Sequence, residues 1–157
     1  VSTRQSAHST GFDRPLQYGL IGAGSMGRAH IGTVNALNGA EIVAVADTCP
    51  ASLTAAREVL PDTVRTYTGH AELLAAAAEL DAVIIATPDA THADQVIDVL
   101  NAGLHVLSEK PMATTAADCD RVAAAAATAA GHGRIYQVGL ELRYLAVWQR
   151  ARELIEA

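Results

Sequence analysis

Three glycines, spaced as Gly22-Ala23-Gly24-Ser25-Met26-Gly27, follow a short apolar run. In a strand-to-helix turn each has a physical use. Gly22 permits the tight turn, Gly24 lets backbone approach a pyrophosphate, and Gly27 lets the helix lie close on the sheet. A helix beginning near Ser25 and Met26 aims free N–H groups and its positive end at phosphate oxygens. Such turns also occur without a ligand, so the motif needs context. Asp47 supplies it, standing at the end of the next apolar run, twenty residues after Gly27. A carboxylate there accepts both hydroxyls of an adenosine ribose. It also repels a 2′-phosphate, and Thr48 brings no cation to offset that. NAD is therefore expected over NADP. The plainer reading of Asp47 is a cap on the helix that follows.

Two more clusters end later runs. Thr87-Pro88-Asp89 would line the middle of a cofactor channel, with Asp89 read as a helix cap and not a ligand. His92, one helical turn on, could reach the same crevice or simply pack. Ser108-Glu109-Lys110-Pro111 lies one strand further from the adenine side, and Lys110 should project toward the nicotinamide and whatever binds over it. The plainer reading is a surface Glu-Lys pair at a strand end.

The chain must supply elements that hold these residues together. Apolar runs at Gln17–Ile21, Glu41–Ala46, Val64–Tyr67, Ala82–Ala86, His105–Leu107 and Ile135–Val138 read as strands. Between and after them, amphipathic segments at Ser25–Leu37, Pro50–Leu60, Ala71–Leu80, Asp89–Ala102, Thr115–Ala130 and Leu145–Glu156 read as helices. Pro50 suits a first helical position, Thr115-Ala116-Ala117-Asp118 has a capping-box pattern, and Gly39, Gly103 and Gly131 stand at helix ends. Strictly alternating strands and helices predict an α/β fold: a doubly wound, six-stranded, mainly parallel sheet covered on both faces. Residues 1–15 are polar and aperiodic and read as an N-terminal tail, leaving 16–157 as one dinucleotide-binding domain.

Composition removes other classes. The chain has 157 residues, half of them hydrophobic, with eleven Lys and Arg against seventeen Asp and Glu and a net charge of −6. An acidic chain without a basic run is a poor partner for nucleic acid or an anionic membrane. No apolar run approaches the roughly 20 residues that span a bilayer. Cys49 and Cys119 form no ligand spacing, so no metal site is expected and a reducing, cytoplasmic setting is.

Taken in order, Gly22-x-Gly24-x-x-Gly27-x-x-His30, Asp47, Thr87-Pro88 with His92, Glu109-Lys110-Pro111 and Gln137-Val138-Gly139-x-x-x-Arg143-Tyr144 resemble the N-terminal half of the glucose–fructose oxidoreductase and inositol dehydrogenase family (Gfo/Idh/MocA). The resemblance implies a Rossmann domain in which Gln137 joins the cofactor-binding residues, with Glu109 and His92 beside the nicotinamide half. It implies that Lys110 is catalytic, touching the cofactor ribose and the reacting oxygen of a sugar, inositol or related polyol. It also implies a second, substrate-binding and oligomer-forming domain, with the usual catalytic His; that domain is expected to be absent from this chain. Lysine is a donor at neutral pH and not a base, so His92 is the one stand-in base within the chain. The rival reading is a non-catalytic nucleotide-binding or regulatory module. A methyltransferase has no use for Glu109-Lys110-Pro111. The stripe Leu145, Trp148, Ala151 and Ile155 either packs on the sheet or, if exposed, marks a surface for another domain or partner.

Overall fold

The computed structural model describes residues 14–76 and 78–156. Its strands are β1 (Leu16–Ile21), β2 (Ala40–Ala46), β3 (Arg65–Tyr67), β4 (Ala82–Ile85), β5 (His105–Ser108) and β6 (Tyr136–Val138). The helices are α1 (Ser25–Asn35), α2 (Pro50–Arg57), α3 (His70–Ala76), α4 (His92–Asn101), α5 (Ala116–Ala130) and α6 (Ala146–Glu156), with 3₁₀ turns at Asp89–Thr91 and Glu141–Tyr144. The strands form one sheet in the order β3-β2-β1-β4-β5-β6, and all five pairings are parallel. This is the doubly wound arrangement that the alternation predicts.

Period-two alternation divides the core between the two faces. Leu20, Val45 and Ile84 pack on one side with Ile31 and Val34 of α1 and Ala56 of α2. Ile21, Ala46, Val83 and Ile85 face the other, against Leu73 of α3, Val96 and Val99 of α4 and Val122 of α5. Thr115 caps α5 as its sequence pattern predicts: its Oγ1 accepts from Asp118 N at 3.1 Å, while the hydroxyl donates to Asp118 Oδ2 at 2.7 Å.

Register sets the place of the site. Tyr67, Ala46, Ile21, Ile85, Ser108 and Val138 pair in succession across the sheet and form one row. Every strand therefore delivers its following residue to the same rim, where doubly wound sheets bind ligands. The ladder runs one step past the row: Gly22 N donates to Ala46 O at 2.8 Å, Ala86 N to Ile21 O at 2.8 Å and Glu109 N to Ile85 O at 2.8 Å. The loops thus leave a fixed edge.

Several sequence expectations need correction, among them the end of α2, which stops at Arg57 and not Leu60. Asp89 caps no helix; it opens a 3₁₀ turn after Pro88, and α4 starts at His92 behind Thr91. α3 begins at His70 and ends at Ala76, earlier than the Ala71–Leu80 expected. Of the expected tail, residues 1–13 lie outside the described residues, while Arg14 belongs to the fold: its guanidinium makes a two-pronged contact with Asp81, both at 2.8 Å. Finally, the stripe on α6 does not pack on the sheet. Leu145, Val147, Trp148, Leu154 and Ile155 are all exposed, and α6 buries no residue.

Candidate functional site

Behind the rim of β1, β2 and β4 lies a crevice of about 620 Å³, within the size range of small-molecule sites. Gly22, Gly24, Ser25 and Met26 line it from the β1–α1 turn, Asp47 and Thr48 from the end of β2, and Thr87 and Pro88 from the end of β4. Eight of the expected cofactor residues thus meet in one place. A second hollow, about 790 Å³, runs from Leu140, just past β6, over Tyr144 to Trp148 on the exposed face of α6.

The glycines act by three different means. Gly22 has φ +93°, and a Cβ on it would lie 2.5 Å from Ala86 O. A Cβ on Gly27 would lie 1.9 Å from Gly22 O, so Gly27 supports the turn from behind rather than lining the crevice. A Cβ on Gly24 would meet nothing within 4 Å. The space in front of Gly24 is open toward the first turn of α1, whose N–H groups have no side-chain cap. This is the cradle a pyrophosphate needs.

Asp47 is both bracket and candidate ligand. Its Oδ2 accepts from Ala23 N at 2.7 Å and its Oδ1 from Cys49 N at 2.7 Å, fixing the carboxylate between the Gly-rich turn and the start of α2. Two bonds leave further lone pairs of the carboxylate for ribose hydroxyls. The N-cap of α2 is Cys49, with no side-chain cap bond, so Asp47 braces the loop rather than capping the helix, and that role does not conflict with a ribose contact. Thr87 is held by Gln95, whose Oε1 accepts from its hydroxyl at 2.6 Å.

Glu109 and Lys110 stand outside the crevice lining, at the end of the neighbouring strand. Glu109 is largely buried, and its Oε1 lies 2.8 Å from His30 Nε2. Lys110 is exposed, and among the described residues no ion pair engages its ammonium. Gln137 lies within β6 itself, exposed, with its Nε2 donating to Tyr144 Oη at 3.0 Å. His92 is not a crevice residue. Its side chain is 0% exposed, with Nδ1 2.8 Å from Pro111 O and Nε2 2.9 Å from Thr87 O. With both nitrogens facing backbone carbonyls it has no atom free for a cofactor or a substrate proton, which removes it as a base. Its work is to tie the β4 loop to the β5 loop.

The crevice also holds residues not singled out from sequence: Cys49, Ser52, His70, Thr91 and Gln95. His70 sits just past β3, where the rule that all strand ends share one rim could have found it. Cys49 is exposed at the start of α2. The Ser52 N–H and hydroxyl, with the Ala51 N–H, pull its thiol below the ordinary range. Near the β5 edge, burial pushes the Tyr136 hydroxyl up, partly offset by its contact with Ser108 at 3.1 Å.

The sequence profile of the Gfo/Idh/MocA group, described as "Oxidoreductase family, NAD-binding Rossmann fold", matches residues 16–140. The chain belongs to that family. It is 38% identical over 142 residues to an inositol 2-dehydrogenase of Acidiphilium cryptum, covering 90% of this chain and 41% of that protein. The WlbA dehydrogenase of Bordetella pertussis, solved with NADH and UDP-GlcNAcA, superposes with a TM-score of 0.82 at 35% identity, over 92% of this chain and 40% of that one. The myo-inositol dehydrogenase of Lactobacillus casei, solved with NAD(H) and myo-inositol, gives 0.82 at 32% identity, over 90% and 41%. The chain spans about two fifths of the length of these relatives. It is an NAD-binding Rossmann domain of an oxidoreductase family related to inositol and sugar dehydrogenases. Among the described residues no helix is long and apolar enough to cross a membrane.

Proposed function

We propose that this chain holds NAD for the oxidation or reduction of a sugar, inositol or related polyol. The observation that carries the reading is the joining of an open glycine cradle and a fixed carboxylate, Gly24 and Asp47, in one crevice of cofactor size. The residues fit the group. The α1 N-terminus and the Gly24 backbone would hold the pyrophosphate, Asp47 the adenosine ribose, and Thr87 and Pro88 the middle of the channel. NAD supplies the acceptor for a hydride from a secondary alcohol carbon. The chain's own part is to position and to donate. Lys110, exposed and without an ion-pair partner among the described residues, would hold and polarise a substrate oxygen as a charged donor.

Substrate class follows the relatives named above and belongs to this proposal, as does assembly into a homo-oligomer, which light scattering would measure. The free thiols of Cys49 and Cys119 accord with a reducing, cytoplasmic setting.

Calorimetry with NAD and NADP tests the cofactor reading. NAD should bind on the order of tenfold tighter or better, and Asp47→Ala should narrow the gap; equal or tighter NADP binding overturns the role of Asp47. Growth of reduced-cofactor absorbance with a panel of inositols and sugars tests the reaction. In an enzyme complete with a substrate-binding domain, Lys110→Met should lower turnover on the order of a hundredfold or more, beyond the loss in NAD affinity. This chain alone should bind NAD without turning over a polyol; tight NAD binding with no turnover by an enzyme complete with a substrate-binding domain would favour a nucleotide-binding module.

A further inference from the structure

Lys110 makes no ion pair among the described residues, so whatever aims its ammonium must act on its backbone. Both of its neighbours in sequence are held, and by histidines of two different helices. On the far side, Pro111 O takes the His92 Nδ1 contact from α4 at 2.8 Å. On the near side, the Glu109 carboxylate is shared: Oε2 accepts from Lys110 N at 3.3 Å, and Oε1 lies 2.8 Å from His30 Nε2. Little of this second pair is open to water, since His30 is 20% and Glu109 14% exposed. A pair so placed is screened less than a surface ion pair and holds its geometry more firmly.

His30 lies on α1, six residues beyond Gly24, on the same rigid helix whose first turn faces the pyrophosphate cradle. It is absent from the crevice lining. What it does touch is the residue before Lys110. The His30–Glu109 contact therefore connects the phosphate-binding helix to the loop carrying the lysine, across the rim between β1 and β5. Gly139 closes the other flank: its N–H donates to Ser108 O at 2.7 Å, and a Cβ there would come within 3.9 Å of Glu109 Cα.

We infer that His30 is a positioning residue for Lys110, acting through Glu109 to register the lysine against the cofactor turn. The inference rests on the reading that Lys110 serves the nicotinamide end of bound NAD. A purely structural pair would instead stabilise the whole crevice and act independently of the lysine.

The test is calorimetry on the purified chain with NAD and with ADP, which carries the adenine end alone. Wild type, His30→Ala, His30→Gln, Lys110→Met and the double variant His30→Ala/Lys110→Met are compared, each first shown to melt cooperatively. Lys110→Met should weaken NAD about tenfold and leave ADP within about twofold, the scale of one charged hydrogen bond. His30→Ala should do the same. His30→Gln, whose amide can reach Glu109 from the position of Nε2, should restore most of the loss. In the Lys110→Met background His30→Ala should cost nothing more, the sign of residues acting as one unit. Equal loss of ADP and NAD in His30→Ala, additive losses in the double variant, or unchanged NAD binding would overturn the inference while leaving the role of Lys110 intact. If His30→Ala fails to melt cooperatively, the His30→Gln and Glu109→Gln chains decide: normal NAD-to-ADP preference in Glu109→Gln overturns the coupling. Absence of NAD binding by wild type, or an unchanged preference in Lys110→Met, would overturn the underlying reading and this inference with it.

Discussion

Glycines in the β1–α1 turn illustrate how one residue type answers to different forces. Gly27 is required by packing, because a methyl group would enter the space of Gly22 O at 1.9 Å. Gly24 meets no such neighbour, so its constraint comes from outside the chain. Gly27→Ala should therefore lower unfolding stability by about 1–3 kcal/mol, the range of overpacked sites. Gly24→Ala should stay within about 1 kcal/mol of wild type and still weaken NAD on the order of tenfold. Denaturant melts and calorimetry on the two variants separate these costs; a destabilised Gly24→Ala with normal affinity would contradict the cradle. Cys49 gives a second probe of the crevice. Its thiol is held below the ordinary range by the Ser52 N–H, the Ser52 hydroxyl and the Ala51 N–H, so the reactive thiolate forms at lower pH than in a free cysteine. Alkylation at Cys49, followed by peptide mass, should show its half-maximal rate below the pH found for free cysteine, and saturating NAD should slow it. Unchanged labelling with NAD bound would put the cofactor elsewhere.

At the scale of elements, local signals carried far because each strand and helix here is short and plainly punctuated. Gly22, Pro50 and Thr115 mark turns and starts whose chemistry is contained within a few residues, and the structure uses them as read. The rotation of a helix about its axis is another matter. That His92 turns inward to two carbonyls, and that His30 meets Glu109 79 positions away, depends on how α4 and α1 lie on the finished sheet. Asp89 has the sequence of a helix cap, but a 3₁₀ turn after Pro88 delays the helix until His92. The link between Arg14 and Asp81, 67 positions apart, was equally invisible, and it joins the start of β1 to the start of β4. It has a pH signature. The Arg14 guanidinium, with a further bond from Gln17 N, holds the Asp81 carboxyl below the usual range. A lowered folded value means the contribution is complete above the unfolded value near about 3.9 and is lost as pH falls through the folded one. The stability difference between wild type and Arg14→Ala should thus be flat from neutral pH to about 4, then shrink on further acidification. Salt should reduce it, since Arg14 is 55% exposed. A difference that grows toward acid would refute the pairing.

The whole molecule is asymmetric about its sheet. The centre, β1, β2, β4 and β5, is covered by α1 to α5, and the core closes without help from beyond Val138. Past that point the chain changes character. Leu140, Leu142, Tyr144, Leu145, Val147, Trp148, Leu154 and Ile155 are all exposed, and the main contacts of α6 are with the turn just before it. An amphipathic pattern in a sequence says that a face is suited to being covered; it does not say by what, and here the sheet is not the cover. A helix that buries nothing contributes little to the unfolding free energy. Ending the chain after Tyr144 should therefore shift the melting temperature by no more than about 2 °C, in line with substitutions confined to a surface, and should leave NAD affinity unchanged, because the crevice lining, Lys110 and Gln137 are all retained. Trp148 is the single tryptophan and is 55% exposed. Its emission reports on α6 alone, and in dilute solution it should resemble free tryptophan in water and respond little to NAD. A blue-shifted emission, together with a large loss of stability on truncation, would show that α6 lies folded against the domain and that its apolar face is part of the core.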